Sequence, residues 1–287
     1  MVVRAIGTLW AAAALVAVLA APAKADSFTF STGNPDGKIA MASRPDAGGK
    51  AEIETADDFV LTNHTLITGG SFTGLLVGSV ALPTVENVIV EMYRVFPKDS
   101  DTTRIPNVPT RVNSPSDVEF EGRDASSSDM SFSTTNLGTF TASNSVLNGI
   151  HPKPGQQTLG EGPVTGEEVT FNFTFTTPFD LPTDHYFFVP QVQVSGGEFY
   201  WLSAPRPIVS PGTPFPLGFT DLQAWIRNEG IDPDWLRVGT DIVGGNPAPT
   251  FNAAFTLDGT TVEPVPEPAS LALFATGLVM GTRRRRR

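Results

Sequence analysis

The residues of this chain with the clearest capacity for chemistry are closely spaced carboxylates. Asp57 and Asp58 are adjacent and precede an apolar run, so a strand would point them to opposite faces. Either side chain can bind calcium, or can cap a loop by accepting backbone N–H groups, and we favour the capping role. Two further pairs have the alternate spacing of calcium loops: Asp99 with Asp101, and Asp232 with Asp234. Neither is followed by the glycine and distal glutamate of an EF-hand, so calcium is only a candidate ligand and the metal content is unknown.

The catalytic motifs that spacing can reveal are missing from the sequence. The histidines His64, His151 and His185 form no His-Glu-x-x-His pair, and there is no cysteine. Residues 69–74 read Gly-Gly-Ser-Phe-Thr-Gly, which is not the Gly-x-Ser-x-Gly of a nucleophile elbow. No catalytic residue is therefore assigned. A glycan hydrolase with a carboxylate pair remains the alternative, because sequence does not encode the distance between two carboxylates across a cleft.

Tryptophans offer a second route to function, because exposed indole rings can stack on sugars. Trp201 lies in a short predicted strand, whereas Trp225 and Trp235 flank a turn. Polar neighbours that can bond sugar hydroxyls are Arg227, Asn228 and Arg237. These three rings are either glycan contacts or fillers of the core ends, and core packing is favoured.

The chain ends in a Val-Pro-Glu-Pro break, a short apolar run and five arginines. Pro266 and Pro268 prevent a helix from running through the break. Residues 269–281 then predict a hydrophobic helix that spans roughly 20 Å, shorter than the about 30 Å of a relaxed bilayer crossing. We therefore expect a marginal membrane anchor with its arginines on the cytoplasmic side.

This arrangement resembles the PEP-CTERM sorting signal of Gram-negative bacteria. The matching motif residues are Pro266, Glu267 and Pro268. The resemblance implies that an exosortase, a membrane transpeptidase, removes the tail and passes the protein from the inner membrane to the cell surface or the exopolysaccharide matrix. It covers only about the last 25 residues and implies nothing about the rest. A retained single-pass anchor is the alternative.

An export signal is predicted at the other end of the chain. Arg4 precedes an apolar core at residues 9–21, and Ala23-Lys24-Ala25 is a small-x-small cleavage site. Signal peptidase would then cut between Ala25 and Asp26. An uncleaved N-terminal anchor is the alternative.

Removal of both signals makes the protein strongly acidic. Seven of the 19 Lys and Arg residues lie in the two signals, whereas only one of the 30 Asp and Glu residues, Glu267, does. The remaining 12 basic and 29 acidic residues give a net charge of −17. Such a surface repels phosphate groups, so nucleic-acid binding is not expected. It suits a soluble secreted protein. Without cysteine, stability must come from the core rather than from disulfides.

Alternating apolar and polar residues predict strands with one buried face. The alternation is strict in 169–175 and recurs in 251–257 and in the segment beginning at His185. Further predicted strands are 27–31, 59–62, 71–77, 88–95, 132–141 and 198–202. A helical period appears only at Thr220–Asn228, with Asp221 as the N-cap. The predicted fold is an all-β, antiparallel, jelly-roll-like β-sandwich with one short helix, and a barrel is the alternative.

We expect one domain between the two signals. The predicted organisation is a signal peptide at 1–25, a β-sandwich at 26–259, a linker at 260–264 and the sorting signal at 265–287. Within the sandwich, 98–130 is polar and predicts long loops. Two smaller domains hinged near 148–166 are the alternative. The expected function is that of an exported, non-catalytic surface or matrix protein that is structural or binds exopolysaccharide.

Overall fold

The computed structural model describes residues 26–78, 81–151 and 156–262. The predicted signal peptide, the end of the linker and the sorting signal with its hydrophobic helix lie outside these residues. Residues 27–261 form one compact unit, with no division near 148–166.

This unit consists of two β-sheets that enclose a common apolar core. The nine-stranded sheet contains β1 (Ser27–Ser31), β2 (Ile39–Ala42), β4 (Thr65–Gly78), β7 (Met130–Ala142), β8 (Asn144–Val146), β9 (Val164–Leu181), β11 (Gly197–Ala204), β14 (Asn252–Ala253) and β15 (Phe255–Thr261). The six-stranded sheet contains β3 (Ile53–Leu61), β5 (Thr84–Val95), β6 (Pro115–Asp124), β10 (Asp184–Ser195), β12 (Trp225–Asn228) and β13 (Leu236–Arg237). A 3₁₀ turn at Ala125–Ser127 and a π-helical turn at Val238–Val243 complete the regular structure. The predicted all-β fold is confirmed, as two mainly antiparallel sheets rather than one barrel.

Strand β4 organises the nine-stranded sheet. One of its edges bonds β9, which in turn bonds β7. Its other edge bonds β15 over the first half and β11 over the second half, so the sheet branches there. In the six-stranded sheet the order is β13-β12-β3-β10-β5-β6. Among the described strands only β2 and β8 pair in parallel.

The glycine-rich stretch of β4 allows this branching. A Cβ atom at Gly70 would lie 2.1 Å from the carbonyl oxygen of Thr256, and one at Gly74 would lie 2.5 Å from that of Tyr200. Side chains at these positions would push β15 and β11 away from β4. The stretch that faintly resembled a nucleophile elbow is therefore part of a strand and allows close backbone approach.

Aromatic side chains from both sheets fill the core. Phe188 of β10 stacks on Phe255 of β15 with ring centroids 5.1 Å apart, and Trp201 of β11 meets both rings edge-on. Phe72 and Phe171 stack at 4.8 Å between β4 and β9. Phe171, Phe188 and Phe255 occupy apolar positions of the alternating segments. The alternation thus located the buried faces correctly.

The predicted helix at Thr220–Asn228 is wrong. Residues 225–228 form β12, which pairs with β3, and the preceding residues have no regular structure. Ile226 packs in the main core, whereas Trp225 packs in a second apolar cluster on the other face of the sheet. Because both faces are covered, two adjacent apolar residues fit a strand, and the spacing resembled a helical stripe by coincidence.

The prediction of loops throughout 98–130 is also wrong in its second half. Residues 115–124 form β6, and the 3₁₀ turn follows. β6 lies at an edge of its sheet and carries five charged residues, namely Asp117, Glu119, Glu121, Arg123 and Asp124. Its polar composition reflects a solvated edge strand, which sequence alone does not distinguish from a loop.

Truncation of the aromatic stack tests this core. Phe255→Ala removes a ring that contacts Phe188, Trp201 and Phe30, and we expect the free energy of unfolding to fall by about 3–5 kcal/mol. The measurement is urea unfolding followed by tryptophan fluorescence. Leu217→Ala is the control, because Leu217 is fully exposed and should change stability by less than about 0.5 kcal/mol. Equal effects of the two changes would contradict this account of the core.

Candidate functional site

Asp57 and Asp58 occupy the predicted adjacent positions of β3 and are both buried. Oδ2 of Asp57 accepts the backbone N–H of Ala253 at 2.8 Å. Oδ2 of Asp58 accepts the backbone N–H of Leu222 at 3.1 Å and lies 2.6 Å from Nε2 of His185. Each carboxylate therefore ties a separate segment to β3. This is the capping role favoured from the sequence.

Burial shifts the protonation of these two groups. Burial raises the pKa of Asp57 well above its ordinary range, and the neighbouring charges of Asp58 and Asp221 raise it further. Burial also raises the pKa of Asp58, to about 6, although the hydrogen bond from His185 acts in the opposite direction. The Oδ1 atoms of both residues are buried without a hydrogen-bond partner. Protonation lowers the cost of burying these oxygens.

A second buried polar cluster lies on the outer face of the six-stranded sheet. Nε of Arg227 donates to Oε2 of Glu54, and Nη2 of Arg227 lies 2.9 Å from the hydroxyl of Tyr93. That hydroxyl is 2.8 Å from Oε1 of Glu54 and 3.2 Å from Oε2 of Glu91. The guanidinium also stacks over the ring of Trp235 at 4.4 Å. We call Glu54, Glu91, Tyr93, Arg227 and Trp235 the arginine cluster.

Glu91 is the unusual member of the arginine cluster. Burial, with the negative charges of Glu54 and Glu119 beside it, raises the pKa of Glu91 to about 9. The hydroxyl of Tyr93 lies between the carboxyl group of Glu91 and that of Glu54, at 3.2 Å and 2.8 Å from the nearest oxygen of each. A glycosidase needs two carboxyl groups separated by about 5–9.5 Å so that a sugar fits between them. Because the Tyr93 hydroxyl occupies the space between the Glu54 and Glu91 carboxyl groups, a sugar does not fit between them.

The three tryptophans are buried, as the favoured prediction of core packing requires, and they are not exposed glycan contacts. Trp201, Trp225 and Trp235 are 0%, 1% and 1% exposed. Trp201 lies in the main core, and its indole donates to the carbonyl of Ala254 at 2.9 Å. The other two pack in the outer cluster of the six-stranded sheet. The structure therefore supports the favoured prediction, in which these rings pack in the core.

Their polar neighbours are engaged within the protein. Arg227 belongs to the arginine cluster, Asn228 donates to the carbonyl of Ile150 at 3.1 Å, and Arg237 pairs with Asp241 at 2.7 Å. These three side chains therefore do not surround an exposed indole ring with free hydrogen-bonding groups for a sugar.

The two other acidic pairs hold loops. Asp101 caps its own turn through Thr103, with hydrogen bonds of 2.9 Å and 2.7 Å. Asp232 pairs with Arg227 at 2.9 Å, and the buried Asp234 pairs with Arg104 at 2.7 Å. Over residues 26–78, 81–151 and 156–262 no group of three or more His, Asp and Glu side chains has metal-binding geometry.

A surface that sequence reasoning missed is the outer face of the nine-stranded sheet. Its rows follow from strand register and alternation. One row crosses five strands through Ser31, Thr256, Ser71, Asn172 and Ser133, and the next contains Thr73, Thr170 and Thr135. We call these eight residues the hydroxyl face. None of them is charged.

Neighbouring hydroxyl groups of the hydroxyl face bond one another across strands. Oγ1 of Thr256 donates to Oγ of Ser31 at 2.9 Å, and the Oγ1 atoms of Thr73 and Thr170 are 3.1 Å apart. The only local sign of the hydroxyl face in the sequence was the Thr and Asn residues at the polar positions of 170–174. Alternation alone shows that these positions face solvent and says nothing more about them. Register between distant strands was needed to see a continuous surface.

Comparison with known families identifies the C-terminus. Residues 264–287 match the family model described as the PEP-CTERM protein-sorting motif, and this range contains Pro266, Glu267 and Pro268. The match leaves the whole sandwich uncovered. No curated protein and no solved structure matches the chain.

The matched motif indicates the class of protein. This is an exported protein that an exosortase targets, with a membrane-anchored precursor that is then passed to the cell surface. Within the part of the chain that the structure describes, no helix is long and apolar enough to cross a membrane. The segment predicted to do so belongs to the matched tail.

The raised pKa of Glu91 predicts a pH dependence of stability. The folded state holds this proton more tightly than the unfolded chain, so the stabilisation is complete below the ordinary pKa of 4.5 and is lost as the pH rises toward about 9. Glu91→Gln mimics the protonated group at every pH. We compare the free energy of unfolding of this variant with that of the wild type at each pH. The difference in favour of the variant should be about 1–3 kcal/mol larger at pH 8 than at pH 5.

Urea unfolding across this pH range measures the effect. Glu229→Gln is the control, because it makes the same chemical change at an exposed glutamate. An equal pH profile for the wild type and the Glu91 variant would show that Glu91 does not carry the extra proton.

Proposed function

We propose that the exported sandwich is a non-catalytic structural module of the cell surface or extracellular matrix, and that it holds exopolysaccharide through the hydroxyl face. The observation that carries the binding role is the continuous row of uncharged hydroxyl and amide groups across five strands. Adjacent strands are about 4.8 Å apart, so the row is roughly 19 Å wide. Such a regular array of donors and acceptors suits a repeating polyhydroxyl chain, in which each contact is weak and many act together.

The distribution of charge favours this face over the rest of the surface. The protein has an excess of acids, and many bacterial matrix polymers carry acidic groups that such a surface repels. The rows of the hydroxyl face contain no charge, although Asp258 and Glu168 lie in the adjacent rows on either side. A neutral polar face therefore offers a contact region where like-charge repulsion is weakest.

The hydrolase alternative has less support from the geometry. The Tyr93 hydroxyl lies between the Glu54 and Glu91 carboxyl groups of the arginine cluster and leaves no room for a sugar. Asp57 and Asp58 are buried and hold backbone groups. The hydrolase hypothesis predicts that the protein releases reducing sugar from the host exopolysaccharide, which a colorimetric assay would detect.

The sorting motif gives a direct test of export and processing. Replacing Pro266, Glu267 and Pro268 together by alanine removes the residues that the transpeptidase reads. We expect the variant to accumulate as a longer, membrane-associated species, while the wild type is shortened and reaches the surface. Immunoblots of fractionated host cells measure both. Matched replacement of Pro249 by alanine, outside the motif, is the control. Unchanged processing of the motif variant would contradict the proposed route.

Removal of one row tests the binding surface. The triple variant Ser71→Ala, Asn172→Ala, Ser133→Ala deletes polar groups on three adjacent strands and leaves the backbone bonds in place. We expect exopolysaccharide affinity, measured by affinity electrophoresis, to fall by about tenfold or more, because each lost hydrogen bond contributes about 0.5–1.5 kcal/mol.

The control is a triple variant with the same kinds of change away from this face: Thr102→Ala, Ser127→Ala and Asn148→Ala, all at exposed positions. Thermal unfolding of both variants checks that the sandwich is intact. Equal retardation of the two variants in the polysaccharide gel would exclude the hydroxyl face as the binding surface, whether or not processing occurs as proposed.

A further inference from the structure

The sheet edges of this fold differ in their protection against pairing with another chain. Unpaired N–H and C=O groups at an edge invite such pairing, and short strands or charged residues prevent it. Four edge strands are short, with five residues in β1, three in β8 and two each in β13 and β14. Another edge strand, β6, has ten residues and carries five charges.

Strand β7 has neither protection. It is 13 residues long and contains no Asp, Glu, Lys, Arg or Pro. One edge pairs with β9 along the whole strand. No described residue makes a backbone hydrogen bond to the other edge over residues 131–139. Most side chains of this stretch are exposed.

The hydrogen-bond pattern shows which residues face the free edge. The backbone N–H of Thr176 donates to the carbonyl of Asp129 at 2.8 Å, so residue 129 points its polar groups toward β9. In an antiparallel pair this direction alternates along the strand. The N–H and C=O groups of Phe132, Thr134 and Asn136 consequently point to the free edge.

The flat part of the free edge has defined ends. The register with β9 shifts between Asn136 and Gly138, where Gly138 has a φ of +101°. Near the far end of β7, Ser143 donates to the carbonyl of Gly37 at 2.9 Å, so another segment covers that end. Residues 131–136 remain as a regular stretch that no described part of the chain covers.

We propose that this stretch of β7 pairs antiparallel with the same stretch of a second copy of the chain, with the two-fold axis at Thr134. Thr134 then faces its own counterpart, and Phe132 faces Asn136 of the other copy. Each of these three pairs exchanges two hydrogen bonds, which satisfies all six edge groups on both copies. The two nine-stranded sheets become one continuous sheet.

Charge favours a second copy at this edge. The chain has a net charge of −11, so most contacts between two copies bring acidic groups together. The β7 stretch brings none, because the nearest acid in the sequence, Asp129, precedes the strand and lies outside the paired residues 131–136. Ser133 and Thr135 also belong to the hydroxyl face, so pairing extends that face from one copy into the next.

Sedimentation velocity of the exported protein over a wide range of concentrations tests the proposal. The wild type should show a reversible monomer–dimer equilibrium. Thr134→Pro removes the N–H at the centre of the pairing and keeps the bonds to β9, so the dimer dissociation constant should rise by about tenfold or more. Thr134→Ala keeps the N–H and should dimerise like the wild type.

Two further measurements separate loss of pairing from loss of folding. Thermal unfolding should give the same midpoint for the Thr134→Pro and Thr134→Ala monomers. Thr134→Lys places two like charges at the axis without touching the backbone and should also weaken the dimer. A wild type that is monomeric at every concentration would overturn the proposal. Dimers that persist equally in the proline, lysine and alanine variants would overturn it as well.

Discussion

The rest of the structure depends on the burial of β3 on both faces. All nine of its residues are buried, and they include Glu54, Asp57 and Asp58. Successive side chains of a strand point to opposite sides of the sheet. Residues packed on each side of the six-stranded sheet must therefore cover β3 and must include hydrogen-bond donors for these carboxylates. Arg227 and Tyr93 partner Glu54, while backbone N–H groups of Leu222 and Ala253 bind Asp58 and Asp57. The long connections between strands are held in place by these bonds, as well as by apolar contacts.

This constraint explains which parts of the fold were predictable. Strands such as β9 and β15 have one solvated face, and their alternation identified the strand and its buried side. β3 and β12 are covered on both faces, so their patterns mix charge with apolar residues and alternation fails. β6 has little apolar content because it is a solvated edge. Pairing over long sequence separation, as between Glu54 and Arg227, leaves no local pattern at either residue.

The candidate site divides in the same way. The sorting motif is a contiguous signal and was recognised in full, and the capping role of Asp57 and Asp58 followed from their position before an apolar run. The tryptophans were ambiguous because an indole at a strand end has the same sequence context whether it is covered or exposed. The hydroxyl face depends on the register of five strands. Serine and threonine also occur throughout loops, so only the assembled sheet distinguishes this set from the others.

The proton held by Glu91 relates the interior of this protein to the chemistry of its surroundings. Polyanionic layers attract cations, including hydronium, so the acidity inside such a layer exceeds that of the bulk medium. A fold whose buried carboxyl group prefers to stay protonated gains stability from that acidity. This contribution is smaller at neutral pH than at acidic pH. An acidic polymer layer would thus favour the folded state and slow proteolysis, with no specific contact required.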